Sequence, residues 1–303
     1  MLHFITSANS GMACFLRQIV RTDRIRIKRS WLVMFILFML LPQSPALADL
    51  MLYPTRIVLE KNQRAAQLEL INNGNETATY RISLVNRRMS ETGEFSAIDS
   101  PMPGEQFADG LLRYSPRQVV LAPGAGQVVR IMLRKPADLA PGEYRSHLQF
   151  ERLPEAKGAT GIAAPGQLAA GEISVTLTAL IGASIPVIVR HGETAARMTL
   201  SNLELQKSAT GEPPILAVVM ERNGNRSVYG DLAVSFTPRG GAEQEIAKAG
   251  GVAVYTPNPL RRVKLALKPP PGQALAHGTL RVTYRQRPEE GGKLLAETLI
   301  QLP

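Results

Sequence analysis

The groups able to do covalent or metal chemistry are few. Beyond His3 the histidines stand at 147, 191 and 277, no two of them at a metal-ligand spacing, and the only cysteine is Cys14. There is no Gly-x-Ser-x-Gly elbow, no glycine-rich phosphate loop ahead of a helix and no His-Glu-x-x-His pair. Acidic residues fall in turns or at alternate strand positions, where solvation accounts for them; Glu289-Glu290-Gly291-Gly292 reads as a hairpin turn. These observations argue against an enzyme and against a bound metal or cofactor. The chemistry that remains is recognition. Ile173, Val175, Leu177, Ala179 and Ile181 alternate with polar residues, so in a β-strand all five point to one face. That face needs either the protein's own core or a hydrophobic groove on another polypeptide that the strand completes.

The segments that must carry this row begin with an export signal. Arg17, Arg21, Arg24, Arg26, Lys28 and Arg29 precede an apolar run over 31–41, and Ala46-Leu47-Ala48 supplies a signal-peptidase pattern. The run is short for a bilayer span, so residues 1–48 are expected to be a cleaved signal peptide, with no stable membrane insertion afterwards. Cleavage removes Cys14, leaving an exported chain without disulfides that core packing alone must stabilise. It also halves the formal net charge of +10. The remaining basic excess, as in Arg261-Arg262-x-Lys264, reads as a solvated strand face, and no nucleic-acid partner is expected.

From Leu52 onward, short runs rich in Val, Ile, Leu and Thr are separated by turn residues such as Asn72-Asn73-Gly74-Asn75, Pro123-Gly124 and Asn223-Gly224-Asn225. Strands are expected over 56–59, 66–72, 78–86, 119–121, 127–133, 142–151, 173–189, 197–205, 215–222, 228–236, 252–255, 263–267, 279–285 and 294–301. The fold class is therefore all-β, with two immunoglobulin-like β-sandwich domains in tandem, placed at 49–191 and 192–303. Residues 154–171, rich in Ala, Gly and Pro, form a long loop that feeds the alternating row. Such a loop is either a plain connector or one that a partner orders.

The first block resembles the periplasmic pilus-assembly (PapD-like) chaperones, as a divergent member. The residues that carry the resemblance are Pro54-Thr55-Arg56-Ile57-Val58-Leu59, then Leu68-x-Leu70-x-Asn72-Asn73 and Tyr80. Next come Tyr114-Ser115-Pro116-Arg117 through Leu121-x-Pro123-Gly124 to Val129-Arg130, then Gly142-Glu143-Tyr144-Arg145, and finally the strand over 173–190. The second block is similar only in size and strand pattern. The resemblance implies two immunoglobulin-like domains set at an angle around a subunit-binding cleft. It also implies capping of pilin-like subunits by donor-strand complementation, with no nucleotide or metal, and delivery to an outer-membrane usher.

On that resemblance, the lent strand falls on 173–181. Leu177, Ala179 and Ile181 take the groove-filling positions and Ile173 and Val175 extend the row; Ala179 is smaller than the usual occupant. Arg56 takes the place of an arginine that grips the subunit's C-terminal carboxylate, for which the guanidinium fork is suited. Counted back from Arg190, the family's partner lysine falls on Pro186, which has neither charge nor N–H and would interrupt a central ladder. The implied location is the periplasm. Self-association through an unpaired edge strand is left open. So is an alternative in which the chain is a structural or adhesive exported immunoglobulin-like protein, with 173–181 in its own core. A carbohydrate-binding sandwich is weaker, because the only tryptophan, Trp31, lies in the signal.

Overall fold

The computed structural model describes residues 50–98, 100–154, 182–206 and 212–303. The signal segment 1–48, the loop residues 155–171 and the row Ile173, Val175, Leu177, Ala179 and Ile181 lie outside the described residues.

The chain up to His191 contributes β1 (Leu50–Tyr53), β2 (Ile57–Leu59), β3 (Ala65–Asn72), β4 (Ala78–Val85), β5 (Arg87–Met89) and β6 (Phe95–Ala97). It continues with β7 (Leu112–Ser115), β8 (Gln118–Leu121), β9 (Gly126–Leu133), β10 (Gly142–Leu153) and β11 (Gly182–His191). One sheet has the order β1-β3-β9-β7 and the facing one β2-β11-β10-β4-β8, while β5 and β6 form a separate hairpin. Period-two alternation explains the layers: in β9, Val129, Ile131 and Leu133 are buried while Val128, Arg130 and Met132 point outward. They meet Leu68 and Leu70 of β3 and, from the other sheet, Tyr80, Ile82, Leu148, Phe150, Val187 and Val189. The chain passes from one sheet to the other at Pro54-Thr55, between β1 and β2, a sheet switch that sets Arg56 at the corner of the sandwich.

The second sandwich is built from β12 (Ala196–Gln206), β13 (Ile215–Gly224), β14 (Val228–Pro238), β15 (Gln244–Val254), β16 (Leu260–Ala266), β17 (Gly278–Arg285) and β18 (Leu294–Leu302). Its sheets run β12-β13-β16 and β15-β14-β17-β18. Leu216, Val218, Met220, Val234, Phe236 and Tyr284 are among the side chains that fill the space between them. Among the described residues no helix is long and apolar enough to cross a membrane.

The structure departs from the expected strands in physical detail. β1, β5, β6 and β7 are three or four residues each, too short for alternation to register. β15 starts at Gln244 rather than 252, because its first half is Gln, Glu, Ala, Lys and Gly around a single buried Ile246. Pro186 does not interrupt its ladder: β10 and β11 stay in register from Glu151–Gly182 to Gly142–His191, and β2 pairs only with Val187–Val189. On its second side the segment 182–186 has no strand neighbour among the described residues, which is where a proline is tolerated.

Asn72 shows how a turn motif becomes structure. Buried at the end of β3, its amide donates to the carbonyls of Glu76 (2.8 Å) and Leu121 (2.9 Å), while its Oδ1 accepts the N–H of Gly74 at 3.0 Å. Replacing it leaves three buried or half-buried backbone groups unpaired. Asn72→Ala is therefore expected to lower unfolding stability by roughly 2–3 kcal/mol with an unchanged denaturant slope, as read from urea melts. A loss under about 0.5 kcal/mol would show that water replaces the side chain.

Candidate functional site

β10 is buried on both faces. Tyr144, Leu148 and Phe150 enter the first core, whereas Glu143, Arg145 and His147 turn the other way and are buried as well. What covers them is the β5–β6 hairpin and the second sandwich. The Arg145 guanidinium lies 4.4 Å from the ring centre of Tyr255 and 5.8 Å from that of Phe95, and the His147 ring meets Phe95 edge-on at 5.1 Å. Met89, Ile188, Ala253 and Tyr255 form a small apolar cluster at the same junction. The guanidinium of Arg261 packs against Gly93 of the hairpin, and Arg262 pairs with Glu91 at 3.1 Å. The Arg261-Arg262 pair is thus more than a solvated strand face. Arg261 donates to the Ala253 carbonyl at 2.8 Å and clasps the two parts together.

The central element is a buried carboxylate. Glu143 accepts Arg190 Nε at 2.9 Å with one oxygen, and with the other the backbone N–H of Ser227, in the second sandwich, at 3.1 Å. Arg190 stands directly opposite Glu143 in the β10–β11 register, and its Nη1 reaches Glu60 at 3.1 Å. Burial alone would raise the Glu60 carboxyl. The Arg190 hydrogen bond and charge, with smaller help from Arg226 and Lys61, bring it below the usual carboxylate range.

Beside this strut opens a cavity of about 540 Å³, on whose wall stand Arg56, Arg190, Arg197, Arg226, Lys293 and a single acid, Glu290. Arg56, placed by the sheet switch before β2, donates from Nη1 to Glu290 Oε1 at 2.7 Å and lies 4.6 Å over the ring of Tyr229. Its side chain is only 8% exposed, and its Nε is buried without a partner. Burial raises the hydroxyl pKa of Tyr255, against the opposing charge of Arg56. Five cations facing one carboxylate suit the site to an anion, and a planar guanidinium suits it to a carboxylate.

Of the residues expected to bind a subunit, the structure places Arg56 in this cavity; Ile173, Val175, Leu177, Ala179 and Ile181 fall outside the described residues. Position 186 lies next to His147 in register, on the face toward the junction. Sequence reasoning missed Glu290, read as one of two acids in a solvated turn, as well as Arg226 and the Glu143–Arg190 pair. The second and fourth residues of Gly142-Glu143-Tyr144-Arg145 carried no signal that their face is covered. Among the described residues no group of three or more His, Cys, Asp or Glu side chains is arranged to hold a metal.

No family model matches the sequence, and no curated protein matches it. Among solved structures, the chain is similar to the YadV chaperone at 12% identity, covering 84% of this chain and 100% of that one, with a TM-score of 0.41. The Pseudomonas aeruginosa CupB2 chaperone gives the same identity, coverage and TM-score. A structure of the Salmonella enterica SafA pilin in complex with the SafB chaperone is 17% identical over 86% of this chain and 99% of the matched chain, with a TM-score of 0.40.

His147 makes the junction pH-sensitive. Burial, then the charges of Arg145 and Arg87, push its pKa from 6.5 down to about 3, so the imidazole is neutral in the folded chain. Unfolded chains take up the proton below about pH 6.5, so folding loses up to about 1.4 kcal/mol per pH unit as pH falls from there toward 3. The carboxylates held low by arginines contribute only below their own range, near 4.5. Urea midpoints should drop by about 2 kcal/mol equivalent between pH 6.5 and pH 5, and His147→Phe should flatten that slope. An unchanged slope in His147→Phe would assign the effect elsewhere.

Proposed function

We propose that this protein is a periplasmic chaperone that caps pilin-like subunits and hands them to an outer-membrane usher, with 49–191 as the subunit-binding domain and 192–303 as the second wall of the cleft. The observation that carries this reading is the half-open edge of β11. Its residues 187–189 are held between β10 and β2, while 182–186 have β10 as their one strand neighbour among the described residues, which leaves the second hydrogen-bonding side of that stretch to an added strand. A free edge is what strand addition requires.

Register supports the same reading. The odd positions Ile185, Val187 and Val189 face the first core. Carried back with period two, that parity sets Ile173, Val175, Leu177, Ala179 and Ile181 on one face, ready to fill a groove in a subunit that lacks a strand. The four larger side chains would contribute roughly 6–12 kcal/mol gross, before ordering costs. At the other end of β11, Arg56 and its cavity take the subunit's C-terminal carboxylate and so fix the register of the added strand. Within the chain Arg56 already holds Glu290 and stacks on Tyr229. Removing it would cost stability as well as binding, so it is a poor test of function.

The row itself is the better test. Leu177→Glu and Ile181→Glu should each leave the melting temperature within about 2 °C of the parent while at least tenfold less co-expressed pilin-like subunit is recovered from the periplasm with the tagged chain. Unfolding of both variants would place the row in the protein's own core and favour the structural or adhesive alternative. Undiminished recovery by folded variants would dismiss strand lending.

A further inference from the structure

Arg226 occupies an unusual position in the cleft. It sits in the turn between β13 and β14, and its backbone is pinned on both sides. Arg222 donates from Nη1 to the carbonyls of Gly224 (2.6 Å) and Arg226 (3.1 Å), and the next N–H, that of Ser227, is held by the buried Glu143 carboxylate at 3.1 Å. Arg222 is itself buried and fixed to the Asn258 carbonyl at 3.0 Å. Two buried charged groups therefore hold the turn in one conformation. The guanidinium that this turn presents to the cavity has no ion-pair partner among the described residues.

The other cations of the cavity are accounted for. Arg190 has Glu143 and Glu60, Arg56 has Glu290, and Arg197 and Lys293 are exposed and can keep their water. Arg226 alone is half-buried and without an ion-pair partner among the described residues. Burial first, then the charge of Arg190, holds its pKa below the ordinary arginine value; Glu60 and Glu143 oppose that shift, and Arg56 adds the smallest push in the same direction as Arg190. A cation that is partly desolvated on a rigid turn, with no ion pair of its own among the described residues, lowers its free energy by receiving an anion from outside.

We infer that Arg226, from the second sandwich, stands with Arg56 as the second cation of the carboxylate site. The inference rests on the carboxylate-anchoring part of the function proposed above and names its missing ligand. Arg56 keeps a buried Nε without a partner and Arg226 offers a whole fork, so an incoming terminal carboxylate is bridged between the two sandwiches and not gripped by the first alone. Specificity follows. A chain ending in a free carboxylate satisfies both guanidiniums, and an amidated end leaves Arg226 unpaired.

The test uses the signal-free chain, 15N-labelled at arginine, titrated with acetyl-trialanine bearing a free C-terminal carboxylate and with its C-terminal amide. The Nε–H resonances of Arg56 and Arg226, assigned through Arg56→Lys and Arg226→Lys, should both move with the acid and neither with the amide. Arg226→Gln should weaken binding of the acid by about tenfold, Arg226→Lys should recover part of that loss, and Arg239→Gln, at an exposed position outside the cavity, should stay within about twofold of the parent. Thermal melts confirm that each variant is folded; among the described residues the Arg226 side chain makes no hydrogen bond or ion pair that its loss would break. If the acid moves Arg56 but Arg226→Gln binds it as well as the parent does, the assignment of Arg226 is wrong while the carboxylate anchor stands. If the acid moves neither resonance at millimolar concentration, the anchor fails and the assignment with it.

Discussion

A carboxylate without exposed surface must be neutralised where it sits, and in this protein that requirement organises everything around it. Glu143 is reached by a guanidinium from the neighbouring strand and by a backbone N–H from the other sandwich. Removing either Arg190 or the Ser227 turn leaves charge buried without compensation, which typically costs several kcal/mol and exceeds what a surface pair contributes. Because Glu143 and Arg190 are direct neighbours in the ladder, the pair also ties the register of β10 and β11 to the placement of the second sandwich. Glu60, on the other side of Arg190, extends the same network to the residue that follows β2. The corner carrying Arg56 and the turn carrying Arg226 are thus positioned by one set of charges.

The same junction explains why its residues are hard to interpret from sequence. In an antiparallel sheet with one solvated face, polar residues at alternate positions mark the side toward water. Along β10 the alternation Glu143, Arg145, His147 against Tyr144, Leu148, Phe150 fits that rule, yet both faces are buried. Period two revealed the strand, its core-facing side and the sandwich class. It could not reveal that the polar side is covered, because cover comes from Phe95, Tyr255 and the 223–227 turn, scattered over 160 residues of sequence. Glu290 was obscure for a related reason: a glutamate in a Pro-Glu-Glu-Gly-Gly turn looks solvated until the fold brings Arg56, 234 positions away, within 2.7 Å.

Pro186 illustrates the opposite case, in which a local rule was sound and its context decided the outcome. A proline in a central strand removes a ladder bond. β11 is central only from Val187 onward, however, and at 186 it has β10 on one side and no strand among the described residues on the other. The proline therefore lies close to the point at which the strand changes from interior to edge. Its cost to the fold is small.

The choice of groups at the junction also sets the charge of the cavity beside it. Arg145 is buried, yet it lies against Tyr255 and Phe95 and not against a carboxylate; burial lowers its pKa, and the charges of Tyr255, Glu143 and Glu105 offset this only in part. Aromatic faces stabilise a guanidinium without cancelling its charge, and Tyr229 does the same beneath Arg56. Arg56 has Glu290 as well. Pairing Arg190 twice makes the joint rigid, while Arg226, without an ion-pair partner among the described residues, and the exposed Arg197 and Lys293 keep the adjoining cavity positive. Rigidity and residual charge thus come from different arginines a few residues apart in space. That separation lets the site be preorganised, so that an entering anion meets fixed donors and little of its binding energy is spent on ordering them.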